Sequence, residues 1–430
     1  MRAAFLTLGC KVNQYETNIL EQQFAAAGFD IVDCEERADV YIVNSCTVTA
    51  SGDKKTRQMV RRFKRLNPEA VVAMTGCYPQ AFPEKAAEVA EADVITGTGD
   101  RASLLPSVLS VMGNGKRIVS VRPHSTDEPF EPMSAERFLD RTRAFIKIED
   151  GCDRYCSYCI IPTARGRVRS KPLDDVRGEA EHLRQLGYRE IVLTGINLSS
   201  YGKHDGLRLA DAVRAVCETG IERVRLGSLE PELLTDDDIR LFASFKSFCP
   251  QFHLSLQSGC NATLKRMNRH YTAAEYMEIV GRIRRSFENP SITTDVMVGF
   301  AGETEEEFEQ SLKFVRDAGF AKAHVFAYSI RPGTRAADMP EQVDAQIKDE
   351  RVRRMIEASD ETRRAFLFSE VGRTEPVLFE TEAAPGVYEG YTPNYTPVRA
   401  RCPRDMGGEI HVVRLTGVGA DWCEGELIEL

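Results

Sequence analysis

No apolar run in this 430-residue sequence approaches the length of a membrane span, and the opening MRAAFLTLGCKVNQ lacks the long apolar stretch of a signal peptide. The expectation is a soluble, cytoplasmic protein with no membrane among its partners. Positive charge is in deficit: 56 Lys and Arg stand against 65 Asp and Glu, giving a net charge of −9. The whole molecule is therefore not a general nucleic-acid binder, and DNA is not an expected partner. RNA is not excluded, because it needs only a basic surface where it docks. Low-complexity segments and short-period repeats are also missing. What remains is ordinary globular composition, 42% hydrophobic and 28% charged, long enough for two or three domains. Twelve cysteines without a secretion signal point to reduced thiols, some of them metal ligands, rather than to a disulfide scaffold.

Apolar periodicity divides the chain. In residues 1–113, strand patterns at 3–8, 40–43, 71–74 and 94–95 alternate with helical patterns at 15–27, 54–66, 83–90 and 102–112. Such alternation predicts a parallel sheet with helices on both faces. Residues 114–137 hold Pro123, Pro129 and Pro132 without an apolar period and read as a linker. Residues 138–368 alternate again, with strand candidates at 144–148, 191–193, 223–226, 252–256, 293–298 and 323–328 and a long charged helix at 344–369. Six strand–helix units with right-handed crossovers close toward a partial barrel. From 369 to 430, short β-type runs broken by Gly and Pro predict a small all-β barrel, of the kind that often binds RNA. The fold class is therefore α/β: an N-terminal parallel α/β sandwich, a central partial barrel of six βα units, and a small OB-like β-domain.

The sharpest local signal is Gly151-Cys152-Asp153-Arg154-Tyr155-Cys156-Ser157-Tyr158-Cys159. Zinc sites usually take four ligands in two pairs, whereas here three cysteines stand together as C-x3-C-x2-C. A cubane iron–sulfur cluster held by three thiolates keeps one iron open for a small chelating ligand. A structural zinc knuckle is the bland alternative. The motif, in the loop after the first barrel strand, resembles that of the radical S-adenosylmethionine (SAM) superfamily. The resemblance implies a SAM-binding 4Fe-4S cluster on Cys152, Cys156 and Cys159. It further implies cofactor contacts at strand ends from Tyr158, Gly195, Asn197, Ser228, Glu230, Gln257, Asp295 and Gly299.

Cys10, Cys46 and Cys77 follow the first three N-terminal strands. Their spacing matches no local metal motif. In an open parallel sheet, however, strand C-termini converge on one edge, and three thiols there could share one metal centre. Three buried thiols acting as small hydrophobes are an equal alternative on geometry alone. The stretch Leu8-Gly9-Cys10-Lys11-Val12-Asn13-Gln14-Tyr15-Glu16-Thr17 resembles the opening signature of the methylthiotransferase family, whose three N-terminal cysteines hold an auxiliary 4Fe-4S cluster. Lys11-Val12-Asn13 and the tail Tyr388-Glu389-Gly390-Tyr391-Thr392-Pro393-Asn394-Tyr395 are similar to the threonylcarbamoyladenosine branch of that family.

This resemblance spans the chain and ends in an RNA-binding domain of the TRAM type. It implies methylthiolation of carbon 2 of N6-threonylcarbamoyladenosine at tRNA position 37, with two SAM equivalents per turnover. The implied partners are a tRNA anticodon stem-loop and an electron donor. Candidate RNA contacts are Lys11, Asn13, Arg165, Arg167, Arg169, Tyr391 and Tyr395, with Lys171 and Trp422 nearby. A basic helical run (Lys54, Lys55, Arg57, Arg61, Arg62, Lys64, Arg65) is an RNA surface or a solvated face with equal weight. Competing readings are methylthiolation of isopentenyladenosine or of a ribosomal-protein aspartate, and, in another class, a non-catalytic iron–sulfur RNA-binding regulator.

Overall fold

The computed structural model describes residues 1–138 and 142–428; residues 139–141 and 429–430, the latter the end of the last expected strand, lie outside the described residues. The N-terminal part is a six-stranded parallel sheet built from β1 (Arg2–Thr7), β2 (Asp30–Val32), β3 (Val40–Ser45), β4 (Val71–Gly76), β5 (Val94–Thr96) and β6 (Ile118–Ser120), in the order 2-1-3-4-5-6. β3 and β4 are buried along their whole length, which explains their unbroken runs of Val, Ile and Met. Helices α1 (Lys11–Ala26) and α2 (Ala50–Leu66) connect the first strands. Thr49 caps α2 by accepting from the Gly52 amide at 3.2 Å, and Val60 and Phe63 supply its buried face.

Two short strands of this sheet, β2 and β6, were not expected. β6 carries the N-terminal sheet beyond residue 113, into the segment read as a linker. The rest of that segment is no free tether either. Glu131 pairs with buried Arg101 at 2.6 Å, Met133 and Ala135 are buried, and the Tyr15 hydroxyl donates to the Met133 carbonyl at 3.1 Å. The prolines make it irregular, while these contacts hold it as a strap across the first two domains.

The central part contains β7 (Arg143–Lys147), the short antiparallel pair β8 (Glu149–Asp150) and β9 (Arg169–Ser170), β10 (Glu190–Thr194), β11 (Arg223–Leu226), β12 (Ser228–Leu229), β13 (Gln251–Leu254), β14 (Ser291–Val298) and β15 (Lys322–Ala327). All six expected barrel strands are present and parallel. The third is interrupted at Gly227: β11 pairs with β10 and β12 with β13. The wall is thus two sheets, of three and four strands, open on one side. The helices between strands carry recognisable caps. Thr304 and Glu307 form a capping box at Glu305–Ala318, and Gly319 ends that helix at φ 59°.

The helix Ala345–Glu370 leads to a closed five-stranded barrel of β16 (Thr374–Ala384), β17 (Val387–Tyr391), β18 (Pro397–Arg401), β19 (Ile410–Val418) and β20 (Cys423–Leu427). This barrel docks on the core through Arg143–Glu380 at 2.7 Å and through Arg223, which donates to the Tyr391 carbonyl at 2.9 Å. Among the described residues no helix is long and apolar enough to cross a membrane.

Candidate active site: two thiol trios and the cavity beside them

Cys10 caps α1 directly after β1, Cys46 follows β3, and Cys77 opens the short helix α3 (Cys77–Ala81) after β4. Since β1, β3 and β4 are adjacent, the three thiols meet at one sheet edge. A Cβ on Gly9, at φ 148°, would come within 2.8 Å of Asn13 Oδ1 and 3.2 Å of Cys46 Cβ, so glycine lets these turns approach. Burial first, and Cys77 in the same direction, raise the thiol pKa of both Cys10 and Cys46, the latter to about 11. Thiols that oppose one another's ionisation suit a cationic centre, which reverses the effect by binding the thiolates.

Cys77 also receives a buried cation. Arg165, fully buried, donates from Nε to Cys77 Sγ at 3.2 Å and pairs with Glu16 and Asp150. Arg101 reaches Glu16 at 2.7 Å, and Lys147 reaches Glu16 at 2.8 Å and Asp150 at 2.6 Å. Burial alone would raise both carboxyls, yet the surrounding cations hold Glu16 and Asp150 well below the ordinary range. This network ties α1 and the N-terminal sheet to the first barrel strand.

The second trio lies on one loop. Gly151 adopts φ 85°, and a Cβ there would sit 1.9 Å from the Arg167 carbonyl; the Cys152 amide donates to Gly166 O at 3.0 Å. The Cys159 amide donates to Cys156 O at 3.0 Å. Burial, followed by the neighbouring thiols, raises Cys152 far above its usual value and Cys159 to about 12. Arg269, unremarked in the sequence, donates to Cys156 Sγ at 3.3 Å and pairs with Glu230. Asn197 places Nδ2 3.7 Å from Cys152 Sγ while its Oδ1 is buried without a partner. Glu149 lies fully buried; one carboxylate oxygen accepts from the Asn197 amide at 2.6 Å, and the other has no partner. Burial lifts the Glu149 pKa well above the carboxylate range.

Among the described residues no three His, Cys, Asp or Glu side chains close tightly enough on one point to hold a single metal ion. A four-iron cubane spreads its thiolates more widely, since each sulfur meets a different iron. Three-thiol donor sets, an arginine on one sulfur of each, and orphaned polar atoms beside Cys152 fit two clusters and a chelating ligand.

Between Cys10, the barrel strand ends and the C-terminal barrel runs a cavity of about 690 Å³. Its wall takes Cys10 and Lys11 from the first domain, Thr194, Gly195, Ser228, His253 and Asp295 from the barrel interior, and Tyr391, Tyr395 and Trp422 from the last domain. Lys11, on the cavity wall, has its pKa brought down to about 8 by removal from bulk water and by nearby Arg143 and Arg225. Tyr391 and Tyr395 stack at 4.5 Å, with Arg143 over both rings at about 5 Å. Arg399 covers Trp422 at 3.7 Å.

Several of the expected contact residues have partners within the protein. Asn13 is buried and not open to RNA: it accepts from Cys10 Sγ at 3.2 Å and donates to Asn44 at 3.1 Å. Arg165 is enclosed in the charge network just described. Arg169 is nearly enclosed, donating to the Arg165 carbonyl at 2.9 Å and facing Glu128 and Asp150. Lys171 is buried on Glu179 and on the Met133 carbonyl at 2.8 Å. Of the basic loop, only Arg167 is exposed. Glu230 is engaged by Arg269, and the Gly299 amide by Glu303 at 2.6 Å. Asp295 faces His253 at 3.3 Å. Gln257 sits at φ 65°, a strained conformation for a non-glycine residue, with its amide on the Asp295 carbonyl at 2.8 Å. Tyr158 packs edge-on to Phe300. In the basic run of α2, Arg57, Arg61, Arg62 and Lys64 already have partners, whereas Lys54, Lys55 and Arg65 are exposed.

The threonylcarbamoyladenosine tRNA methylthiotransferase MtaB of Bacillus subtilis is 37% identical over 99% of this chain and 96% of its own length. The chain belongs to the radical SAM methylthiotransferase family, in its MtaB-type branch. The MtaB of Aquifex aeolicus agrees at 35% identity, covering 96% of this chain and all of that protein. The pattern of the radical SAM superfamily matches residues 146–315, and that of the uncharacterized protein family UPF0004 matches residues 2–97. The radical SAM methyltransferase TsrM of Kitasatospora setae, solved with tryptophan and a SAM analogue, has the same fold over 78% of this chain and 75% of its own, with a TM-score of 0.60 at 15% identity. Membership of the MtaB-type methylthiotransferases brings a SAM-binding 4Fe-4S cluster and a second, auxiliary one.

Proposed function

We propose that this chain methylthiolates carbon 2 of N6-threonylcarbamoyladenosine at position 37 of tRNA, as a cytoplasmic enzyme fed by an electron donor. The observation that carries the reading is full-length similarity to MtaB proteins, combined with a cavity whose wall includes Cys10 of the first trio and the barrel strand ends at Thr194, Gly195 and Ser228. When bound, the clusters and SAM supply one-electron chemistry that replaces an unactivated carbon–hydrogen bond, together with the sulfur that takes its place.

The residues divide the remaining work. Cys152, Cys156 and Cys159 would hold the SAM-binding cluster, three thiolates being one fewer than a four-iron cluster can take. Asn197, with its unpartnered Oδ1, and the backbone of Gly195 face the SAM side; Ser228 stands exposed at the same strand ends. Arg269 positions Cys156 and keeps Glu230 in place. Cys10, Cys46 and Cys77 hold the auxiliary cluster, with Arg165 positioning Cys77. Tyr391, Tyr395 and Trp422 line the entrance of a loop nucleotide whose base is already accessible, so presenting it is less costly than extruding a base from a duplex.

The cavity wall carries Lys11, Arg225, Lys322, Arg363 and Arg399, a poor match for an apolar isopentenyl group. The test is nucleoside analysis of tRNA from cells lacking this gene, where 2-methylthio-threonylcarbamoyladenosine is expected to vanish and its unmethylthiolated precursor to accumulate. Undiminished product in a cell without a second such enzyme overturns the assignment. Absence of deoxyadenosine after anaerobic incubation with SAM and a strong reductant would instead favour the non-catalytic regulator.

A further inference from the structure

The charged side chains of the cavity nearly all have ion-pair partners. Arg225 pairs with Glu190 at 2.9 Å, Lys322 and Arg363 with Asp421 at 3.2 and 2.7 Å, and Arg399 with Glu389 at 2.8 Å. Among the described residues lining the cavity, Lys11 is the one lysine or arginine without a carboxylate partner. The carboxylates of the wall are taken in the same way: Asp295 faces His253, and Asp421 and Glu389 hold the arginines just named. Lys11 is therefore the cation left without a carboxylate, on the wall beside Cys10.

We propose that Lys11 binds the carboxylate of the substrate's N6 substituent and so selects threonylcarbamoyladenosine over uncharged N6-modified adenosines. The proposal rests on the function proposed above. The chemistry of the substrate supports it. A threonylcarbamoyl group brings one carboxylate, which matches the one cation of the wall that has no carboxylate partner. Lys11 is exposed on the cavity wall and, among the described residues, pairs with no carboxylate, so its ammonium is open to an arriving anion. The purine ring adds a positional reason: carbon 2 and the carbon bearing N6 flank the same ring nitrogen. A substituent anchored on the residue next to Cys10 keeps carbon 2 close to the proposed auxiliary site. Asn13 fixes that position, since it locks the Cys10 turn onto Asn44. An RNA phosphate is the competing anion, and the test separates the two.

Two anticodon stem-loop RNAs would be compared, one with threonylcarbamoyladenosine at position 37 and one with the threonine carboxylate replaced by carboxamide. Anaerobic binding to the cluster-loaded protein is read by fluorescence anisotropy. Wild type is expected to prefer the acid about tenfold to a hundredfold, the range of a charge-assisted contact. Lys11→Gln is expected to bind both RNAs as wild type binds the amide, and Lys11→Arg to keep the preference. A wild type indifferent to the change overturns the proposal. So does a Lys11→Gln variant that weakens both RNAs equally, because that behaviour belongs to a phosphate contact. Should Lys11→Gln lose iron, the wild-type preference and the Lys11→Arg result decide alone. A protein that discriminates acid from amide but forms no methylthio product sinks the activity and leaves this contact standing; equal methylthiolation of both RNAs does the reverse.

Discussion

The two thiol trios solve the same coordination problem by opposite routes. Cys152, Cys156 and Cys159 sit on one loop after β7, so local chain geometry brings them together. Cys10, Cys46 and Cys77 come from the ends of three strands, and only the finished sheet unites them. Each trio receives an arginine on one sulfur, but the sources differ. Arg269 and Cys156 belong to the same barrel, whereas Arg165 crosses from the barrel to Cys77 in the first domain. Arg165 is also set among Glu16, Asp150, Arg101 and Lys147, while Arg269 has Glu230 as its one carboxylate partner. The auxiliary site thus depends on how two domains are joined, and the SAM-side site depends mainly on one loop.

The largest expected difference comes from removing the ligands. Replacing Cys152, Cys156 and Cys159 by Ala should abolish deoxyadenosine formation from SAM. Replacing Cys10, Cys46 and Cys77 should spare it and abolish the methylthio product. Iron and sulfide analysis of anaerobic protein should show that each triple variant loses about half the iron, because each cubane holds about four of the total. Loss of all iron from either variant would mean that the two sites are not independent.

Next come the arginines. Arg165→Met leaves Glu16 and Asp150 short of a buried cation, which costs about 3–5 kcal/mol of stability by denaturant unfolding. It should also lower auxiliary iron while the SAM-side cluster stays loaded. Arg269→Met should cost less, because the Glu230 side chain is 16% exposed and can be rehydrated. Its iron loss should fall on the other site. If both variants lose the same cluster, the asymmetry between the trios is wrong.

The same contrast explains what could be read from the sequence. The C-x3-C-x2-C loop was legible because its ligands are neighbours in the chain. The six barrel strands were legible because each carries apolar positions in a short run separated from the next by a helical pattern. The N-terminal trio was visible only as three cysteines after three strands, and geometry alone did not separate ligands from buried thiols. β2 and β6 escaped because they are three residues long, partly exposed and at sheet edges. Arg165, Arg169 and Lys171 were misread for a physical reason. A basic loop resembles an RNA surface until its partners, Glu16, Asp150 and Glu179, are brought in from distant segments. Lys147 held the missed signal, a charge between Ile146 and Ile148 at the end of the strand Arg143–Lys147, which needs a partner once buried.

The smallest expected effect compares the two asparagines beside the thiols. Asn13 has its side chain satisfied on Cys10, Asn44 and the Ser45 carbonyl, so it works within the protein. Asn197 donates to Ser200 at 2.8 Å but keeps a buried Oδ1 without a partner, a state that a bound ligand would relieve. Asn13→Ala should therefore destabilise the protein by about 1–3 kcal/mol, since it strands the buried Asn44 oxygen. Asn197→Ala should cost only about 1 kcal/mol, because it removes the Ser200 hydrogen bond and the long contact to Cys152 Sγ and also deletes the unsatisfied atom. Its effect should appear instead as SAM binding weakened by about tenfold, measured by equilibrium titration of the cluster-loaded protein. A large loss of stability with unchanged SAM affinity would place Asn197 with Asn13 as scaffold, and the polar atoms orphaned beside Cys152 would then need another ligand.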